Sequence, residues 1–278
     1  MYKDGKWARK FIDLQREDGS WGDFQSLSSR GDSVMTTESA LRRLERLGFT
    51  LADAPIKKAV GYMEMCISGK NTVPDRREKV SDWNVFLNLM LATDIRRFTL
   101  ENPTANAIAK QWAAVITAAF ENGVYDHTAY QTAYRKILCP QYGRINRMET
   151  YYPVSLLVGE LNETTERLFV KHLIQNPTGI YYIYDKPICT PPNDFGGKET
   201  SRYLAALELL AAYPTARNEL HFAVDWINAH RLDDGSWDLG STANDKIYLP
   251  LSDDWRKAST RIADCTHQIT ALLQNLEC

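Results

Sequence analysis

Apolar residues recur at intervals of three and four positions along most of the chain. Ala40, Leu44 and Leu47 fall at this spacing, and Gly48 follows them as a helix-ending glycine would. The same period, followed along the whole sequence, gives about eleven helical segments. The run 180–184 could form a short strand, but no other segment alternates as its partner would. The pattern therefore predicts an all-α chain.

Two long loops interrupt the helical pattern, at 176–198 and at 232–258. Loops of this length in a compact domain are usually functional or disordered. Both contain proline, glycine and aromatic residues, and their tryptophan, tyrosine and proline content argues against disorder. No shift in composition, no Ser/Gly-rich linker and no block of charge divides the sequence. We therefore expect a single domain that spans 1–278.

The charge and the cysteine content of the chain bear on its partners and on its cellular location. Lysine and arginine number 33 against 35 aspartate and glutamate, a formal net charge of −2, whereas a nucleic-acid-binding protein usually has a basic excess. No stretch approaches the roughly 18 apolar residues of a membrane span. The five cysteines are scattered, and no apolar signal sequence follows the first methionine. We expect a cytoplasmic protein with no nucleic-acid partner and no integral membrane segment, and the sequence leaves its oligomeric state open.

The sequence Asp-Gly-Ser-Trp occurs near both ends of the chain. It ends at Trp21 in the first copy and at Trp237 in the second, and an apolar helical segment precedes each copy. The Asp-Gly pair favours a turn, because glycine reaches positive φ without steric cost. We predict that each tryptophan folds back onto the end of the preceding helix and that the motif has a structural role.

The first copy resembles the QW motif, Gln-x₃-Gly-x-Trp, of squalene–hopene cyclases, terpene cyclases and protein prenyltransferase β subunits. Gln15 and Gly19 match it together with the tryptophan. In the second copy His230 stands in the place of the glutamine, with one residue inserted. The sequences at Thr37 and Thr266 also resemble the family's inner helices. The resemblance implies an α/α toroid, a barrel in which five to six pairs of outer and inner helices alternate around a central cavity.

The catalytic motifs of this family are matched less well than its fold. The Asp-x-Asp-Asp acid of class II terpene cyclases is missing. The prenyltransferases bind zinc through Asp, Cys and His, and the nearest group in this chain is Asp264, Cys265 and His267. Adjacent positions on one helix point in different directions and cannot easily close a tetrahedral site. We therefore expect no metal ion and no cofactor, and the sequence leaves open whether the chain is an enzyme.

The resemblance places a ligand pocket at the loop-fed ends of the inner helices, where this chain carries acids and aromatic residues. A carboxylic acid in an apolar pocket can donate a proton, and aromatic faces stabilise a carbocation. The candidate catalytic residues are Asp253, Asp254, His267 and Asp264. The candidate substrate-binding residues are Asp82, Trp83, Glu149, Tyr152, Asp194, Arg202, Tyr203 and Trp255.

Three functions are compatible with this pattern. The first is a prenyltransferase- or terpene-cyclase-like protein that binds a small molecule, an isoprenoid or another apolar ligand, in the central cavity. The second is a non-enzymatic binding module of the same fold, and the third is a carbohydrate-active hydrolase or lyase on an α/α barrel. Structural roles are the alternative for single residues: Asp82 could N-cap its helix, and His127 and His172 could lie on helix surfaces.

Overall fold

A computed structural model describes residues 2–25, 35–77, 79–243 and 250–277. Within these ranges the chain forms eleven α-helices and no β-strand, which confirms the predicted all-α class. No helix of these ranges is both long and apolar enough to cross a membrane. In chain order the helices are α1 (Lys6–Asp13), α2 (Thr37–Arg46), α3 (Ala54–Ile67), α4 (Trp83–Arg96), α5 (Pro103–Ala119), α6 (His127–Leu138), α7 (Tyr151–Leu156), α8 (Glu163–Gln175), α9 (Lys198–Ala211), α10 (His221–Ala229) and α11 (Ala258–Glu277).

The two predicted long loops precede α9 and α11, and positions 244–249 of the second loop lie outside the described residues. In the first loop, the run 180–184 forms a tight turn instead of a strand, since Ile180 and Tyr184 exchange backbone hydrogen bonds of 2.8 and 2.9 Å. Tyr181 forms an isolated parallel bridge with Thr150. This bridge brings the first long loop against the start of α7.

The chain divides into two compact units. Unit 1 comprises Met1–Trp112 and Tyr134–Asn146, and unit 2 comprises Ala113–Ala133 and Arg147–Cys278. Helices α5 and α6 therefore contribute residues to both units. The single domain expected over 1–278 stays a prediction.

Each unit buries apolar and aromatic side chains of its own. In unit 1, Trp112 and Tyr134 are buried, and their rings meet edge to face with centroids 5.7 Å apart. In unit 2, Phe169 and Tyr213 are buried and meet edge to face at 6.2 Å. Such aromatic pairs add to the stability that burial alone provides.

The first Asp-Gly-Ser-Trp segment forms a turn that ties the end of α1 to the start of α2. The indole N–H of Trp21 donates to the Phe11 carbonyl oxygen at 2.6 Å, as the predicted fold-back requires. The backbone N–H of Trp21 donates to Thr37 Oγ1 at 3.0 Å. Gly19 has a φ of +94°, a conformation that glycine adopts at little cost.

The second copy repeats this turn bond for bond in unit 2. The indole N–H of Trp237 donates to the Ile227 carbonyl oxygen of α10 at 2.9 Å. Its backbone N–H donates to Thr266 Oγ1 of α11 at 3.1 Å, and Gly235 has a φ of +86°. The prediction of a structural fold-back is thus confirmed for both copies.

The register predicted for the second copy was wrong. Gln15 Nε2 donates to the Gly19 carbonyl oxygen at 3.0 Å, and Arg231 Nε donates to that of Gly235 at 2.8 Å. Arg231 therefore takes the place of the glutamine, with no residue inserted, and His230 does not. The turn requires an N–H donor four residues before its glycine, and an arginine supplies one as well as a glutamine does.

Candidate functional site

Asp264 and Trp255, both predicted to belong to the site, lie together in the interior of unit 2. The Asp264 carboxylate is buried and accepts four hydrogen bonds at Oδ2. The donors are the Leu251 and Ser252 amides at 3.0 and 2.8 Å, the Ser252 hydroxyl at 2.7 Å, and the Trp255 indole at 2.7 Å. The arrangement anchors the loop before α11 to that helix.

Asp82 and Trp83, which begin α4 in unit 1, are both buried. Asp82 Oδ1 accepts from the Asn84 and Val85 amides at 2.9 and 3.1 Å, which confirms the alternative reading as an N-cap. Its Oδ2 accepts from the Gln141 amide at 2.7 Å. Burial disfavours the charged form of Asp82, but these amide donors outweigh it, so its pKa lies below the ordinary value.

Five of the other predicted residues lie at or near the surface of unit 2. Asp254 accepts from the Arg256 amide and Nε at 3.0 and 3.1 Å, and this bonding lowers its pKa. A proton donor to an apolar substrate needs the opposite shift. The five residues are Asp194, Arg202, Asp253, Asp254 and His267, and their predicted roles stay predictions.

Tyr203 is a core residue of unit 2. Its hydroxyl donates to the Ile188 carbonyl oxygen at 3.1 Å, and its ring meets the rings of Tyr184 and Trp226 edge to face. Burial raises the pKa of the phenol well above its ordinary value. These contacts tie the first long loop to α9, so Tyr203 supports the loop that carries the tyrosines described below.

Glu149 lies in a group of titratable side chains in unit 2. Glu149 Oε1 lies 3.0 Å from His172 Nε2 of α8, and Oε2 lies 3.5 Å from Arg147 Nε. The Tyr125 ring lies against the His172 ring, with centroids 4.6 Å apart. We name Tyr125, Arg147, Glu149 and His172 the Glu149 cluster.

The electrostatics of the Glu149 cluster keep Glu149 ionised and Tyr125 neutral at neutral pH. Burial raises the pKa of Glu149, whereas the hydrogen bond from His172 and the charge of Arg147 lower it. The lowering is the larger effect, so the pKa of Glu149 lies below its ordinary value. Burial, helped by the Glu149 charge, raises the pKa of Tyr125 to about 12. An ionised carboxylate can only accept, so His172 donates from Nε2 in its contact with Glu149.

Sequence reasoning missed three members of this neighbourhood. The sequence predicts His172 and His127 as helix-surface residues and gives no signal for Tyr125. The Tyr125 hydroxyl lies 3.0 Å from His127 Nδ1, which extends the cluster to the start of α6. No spacing in the sequence signals these contacts, because the residues come from three separate segments of the chain.

An exposed aromatic surface adjoins the Glu149 cluster. Tyr181 and Tyr182 are 50% and 38% exposed, and their ring centroids lie 4.2 Å apart. Tyr182 also meets the buried Tyr152, a predicted ligand-binding residue, at 5.9 Å. The Tyr181 amide donates to the Glu149 carbonyl oxygen at 2.9 Å, which joins the two groups. We name Tyr152, Tyr181 and Tyr182 the tyrosine surface.

Backbone strain accompanies the tyrosine surface. Tyr182 has a φ of +76°, in the left-handed region that residues other than glycine rarely occupy. Strain of this kind costs of order 1–3 kcal/mol and tends to occur at functional sites. The first long loop thus carries an exposed ring on a backbone conformation that costs stability.

Comparisons with protein-family models, with curated proteins and with solved structures find no match to this chain. Among the residues that the structure describes, no group of three or more His, Cys, Asp or Glu side chains is placed to hold a metal ion. The function of the site therefore has to be inferred from its own geometry.

Proposed function

We propose that this chain is an α/α repeat protein of the terpene cyclase and prenyltransferase type, with five to six helical pairs in a toroid, and that it binds an isoprenoid or other apolar ligand. The observation that carries the proposal is the pair of turns that end at Trp21 and Trp237. Each turn ties one helix to a later helix through the same indole, amide and hydroxyl groups. Repetition of both sequence and hydrogen bonding at distant positions is typical of repeat architectures.

The proposed contact for the ligand is the tyrosine surface of unit 2. When an apolar chain covers exposed aromatic area, the binding free energy becomes more favourable by about 25 cal/mol per Å² of area buried. Tyr181 and Tyr182 supply such area side by side, and Tyr182 does so from a left-handed backbone. The two rings are tilted by 45° to each other and present adjoining apolar area, which suits a long, flexible hydrocarbon with few hydrogen-bonding groups.

The Glu149 cluster lies beside this surface and faces the polar end of the proposed ligand. Arg147 and Glu149 carry opposite charges in contact, so the pair offers little net charge to an anionic head group. We therefore expect the hydrocarbon chain to supply most of the binding free energy. Farnesol should then bind about as tightly as farnesyl diphosphate.

Native mass spectrometry with farnesol, farnesyl diphosphate and geranylgeranyl diphosphate tests this proposal. We expect one ligand per chain, and about tenfold weaker binding in the double variant Tyr181→Ser/Tyr182→Ser, equivalent to about 1.4 kcal/mol. Leu100→Ser is the matched control, because Leu100 is 64% exposed and belongs to unit 1. The proposal fails if no ligand forms an adduct, or if the double variant binds as tightly as the control.

A further inference from the structure

A groove of about 720 Å³ lies along one side of α3 in unit 1. This volume falls in the range of roughly 300–1,000 Å³ that is common for small-molecule sites. One wall is a stripe of α3, and the other walls are the loops before α3 and before α5. The groove is lined by residues 51–52, Lys57, Val60, Gly61, Glu64, Thr99 and 101–103.

Gly61 stands in the middle of the α3 wall. Glycine is disfavoured in a helix interior, because it loses more conformational freedom there than any other residue. A Cβ atom at this position would meet no atom within 4 Å, so packing within the described chain does not require a glycine. The missing side chain leaves space for another molecule to approach the α3 backbone.

Opposite charges stand at the two ends of this wall. Lys57 and Glu64 are seven residues apart on α3, about 10 Å along the helix axis. Asn102 Nδ2 donates to Glu64 Oε1 at 3.0 Å, and Glu101 precedes Asn102 in the chain. Among the described residues, neither the Lys57 ammonium nor the Glu101 carboxylate has a hydrogen-bond or ion-pair partner. The groove therefore has an ammonium at one end, carboxylates at the other, and the apolar Val60 between them.

We propose that this groove binds a short apolar peptide with free termini. Its α-carboxylate would contact Lys57, and its α-ammonium would contact Glu64 and Glu101. An extended peptide advances about 3.3–3.6 Å per residue, so three residues span the length of the wall. Small apolar side chains suit the open space at Gly61, beside the buried Val60. The inference concerns unit 1 and does not depend on the ligand proposed for unit 2.

Isothermal titration calorimetry with the tripeptide Ala-Leu-Ala tests the class of ligand. We expect a dissociation constant on the order of 0.1 mM, which is the scale for a ligand of about twenty non-hydrogen atoms. The N-acetylated and the C-amidated tripeptides each lack one terminal charge. Each should therefore bind about threefold to fivefold more weakly, as expected for one solvent-accessible ion pair.

The variant Gly61→Ala separates binding from stability. We expect its thermal stability to be unchanged or higher, because the added Cβ enters open space and alanine favours the helix. The affinity for Ala-Leu-Ala should fall at least about tenfold, because the added methyl group occupies the space that the peptide would fill. A variant that is as stable as the wild type and binds the tripeptide as tightly would overturn the proposal.

The variant Lys57→Gln tests the carboxylate end of the peptide. It should weaken binding of the free tripeptide about threefold to fivefold and leave binding of the C-amidated form unchanged. Lys58→Gln is the matched control, because the neighbouring lysine does not line the groove. Absence of binding by Ala-Leu-Ala, or equal affinity of its free and blocked forms, would also overturn the proposal.

Discussion

The two Asp-Gly-Ser-Trp turns share their hydrogen bonds but differ in what covers them. Helix α3 packs directly against the first turn: Gln15 Nε2 also donates to the Pro55 carbonyl oxygen at 2.8 Å. A Cβ atom at Gly19 would lie 2.4 Å from the Lys58 carbonyl oxygen, a distance that atoms do not tolerate. The first turn therefore needs its glycine for both its conformation and its packing.

The second turn is covered by its own arginine. The Arg231 guanidinium lies over the Trp237 ring, 5.1 Å from the centroid, and its atoms are the nearest to a Cβ at Gly235, at 3.1 Å. A flexible side chain can move away from such an atom, whereas the backbone of α3 cannot. The comparison shows that the four-residue sequence sets the turn, while the neighbouring elements set how much each residue contributes to stability.

Alanine in place of the two turn glycines should give the largest difference between the copies. Gly19→Ala adds left-handed strain of about 1–2 kcal/mol and overpacking of about 1–3 kcal/mol, for a loss of about 2–5 kcal/mol. Gly235→Ala adds only the strain, about 1–2 kcal/mol. Urea unfolding of both variants measures these losses. Equal losses would contradict the difference in packing.

Phenylalanine in place of the two tryptophans tests what the copies have in common. Trp21→Phe and Trp237→Phe each leave a carbonyl oxygen without its indole donor, and both side chains are buried. We expect each variant to lose about 1–3 kcal/mol of unfolding free energy. Losses that differ by more than about 1 kcal/mol would show that the indole bonds are not equivalent.

Acid should weaken the second copy through Asp238, which follows its tryptophan. Asp238 accepts from Arg261 Nε and Nη2 at 2.6 and 2.7 Å, and this bonding lowers its pKa. Because the pKa of Asp238 is lower in the folded state, its carboxylate stabilises the fold at pH values above the unfolded pKa of about 3.9. This stabilisation is lost as the pH falls through the folded pKa. After solvent screening we expect up to about 1 kcal/mol.

The variant Asp238→Asn provides the control for this pH dependence. It should be less stable than the wild type at pH 7, and the difference should shrink towards about pH 2, as the wild-type carboxylate takes up its proton. Thermal unfolding at the two pH values measures the difference. A stability gap that persists unchanged at about pH 2 would assign the effect to packing instead of charge.

The smallest effect is expected at the residue that distinguishes the two turns. Arg231→Gln keeps an N–H donor four residues before Gly235 but removes the cation–π contact with Trp237. We expect a loss of about 0.5 kcal/mol, the value for an exposed contact of this type. A loss above about 2 kcal/mol in urea unfolding would mean that glutamine cannot replace arginine here.

Local features of this chain could be predicted from its sequence, because they depend on residues a few positions apart. The helical period predicts the all-α class. Asp82 is a residue type that favours the N-cap position, and it accepts from backbone amides two and three residues later. The fold-back of each tryptophan follows from the Asp-Gly turn beside it. The register of the second turn was missed, because the required donor can be an arginine as well as a glutamine.

The candidate site could not be predicted in the same way. Glu149 and His172 are 23 positions apart and belong to different elements, so no period or spacing connects them. The position of His172 on α8 is compatible with an ordinary surface residue. Tyr182 is distinguished by its left-handed backbone conformation, and the sequence of the loop does not predict a positive φ at this tyrosine.

Photoaffinity labelling with a benzophenone-bearing farnesyl analogue tests the proposed function most directly. Trypsin does not cleave the Lys186–Pro187 bond, so it releases residues 172–198 as one peptide, which contains Tyr181 and Tyr182. We predict that this peptide carries most of the label and that an excess of farnesol removes it. Label confined to peptides of unit 1, or label that farnesol does not displace, would contradict the assignment of the isoprenoid ligand to the tyrosine surface.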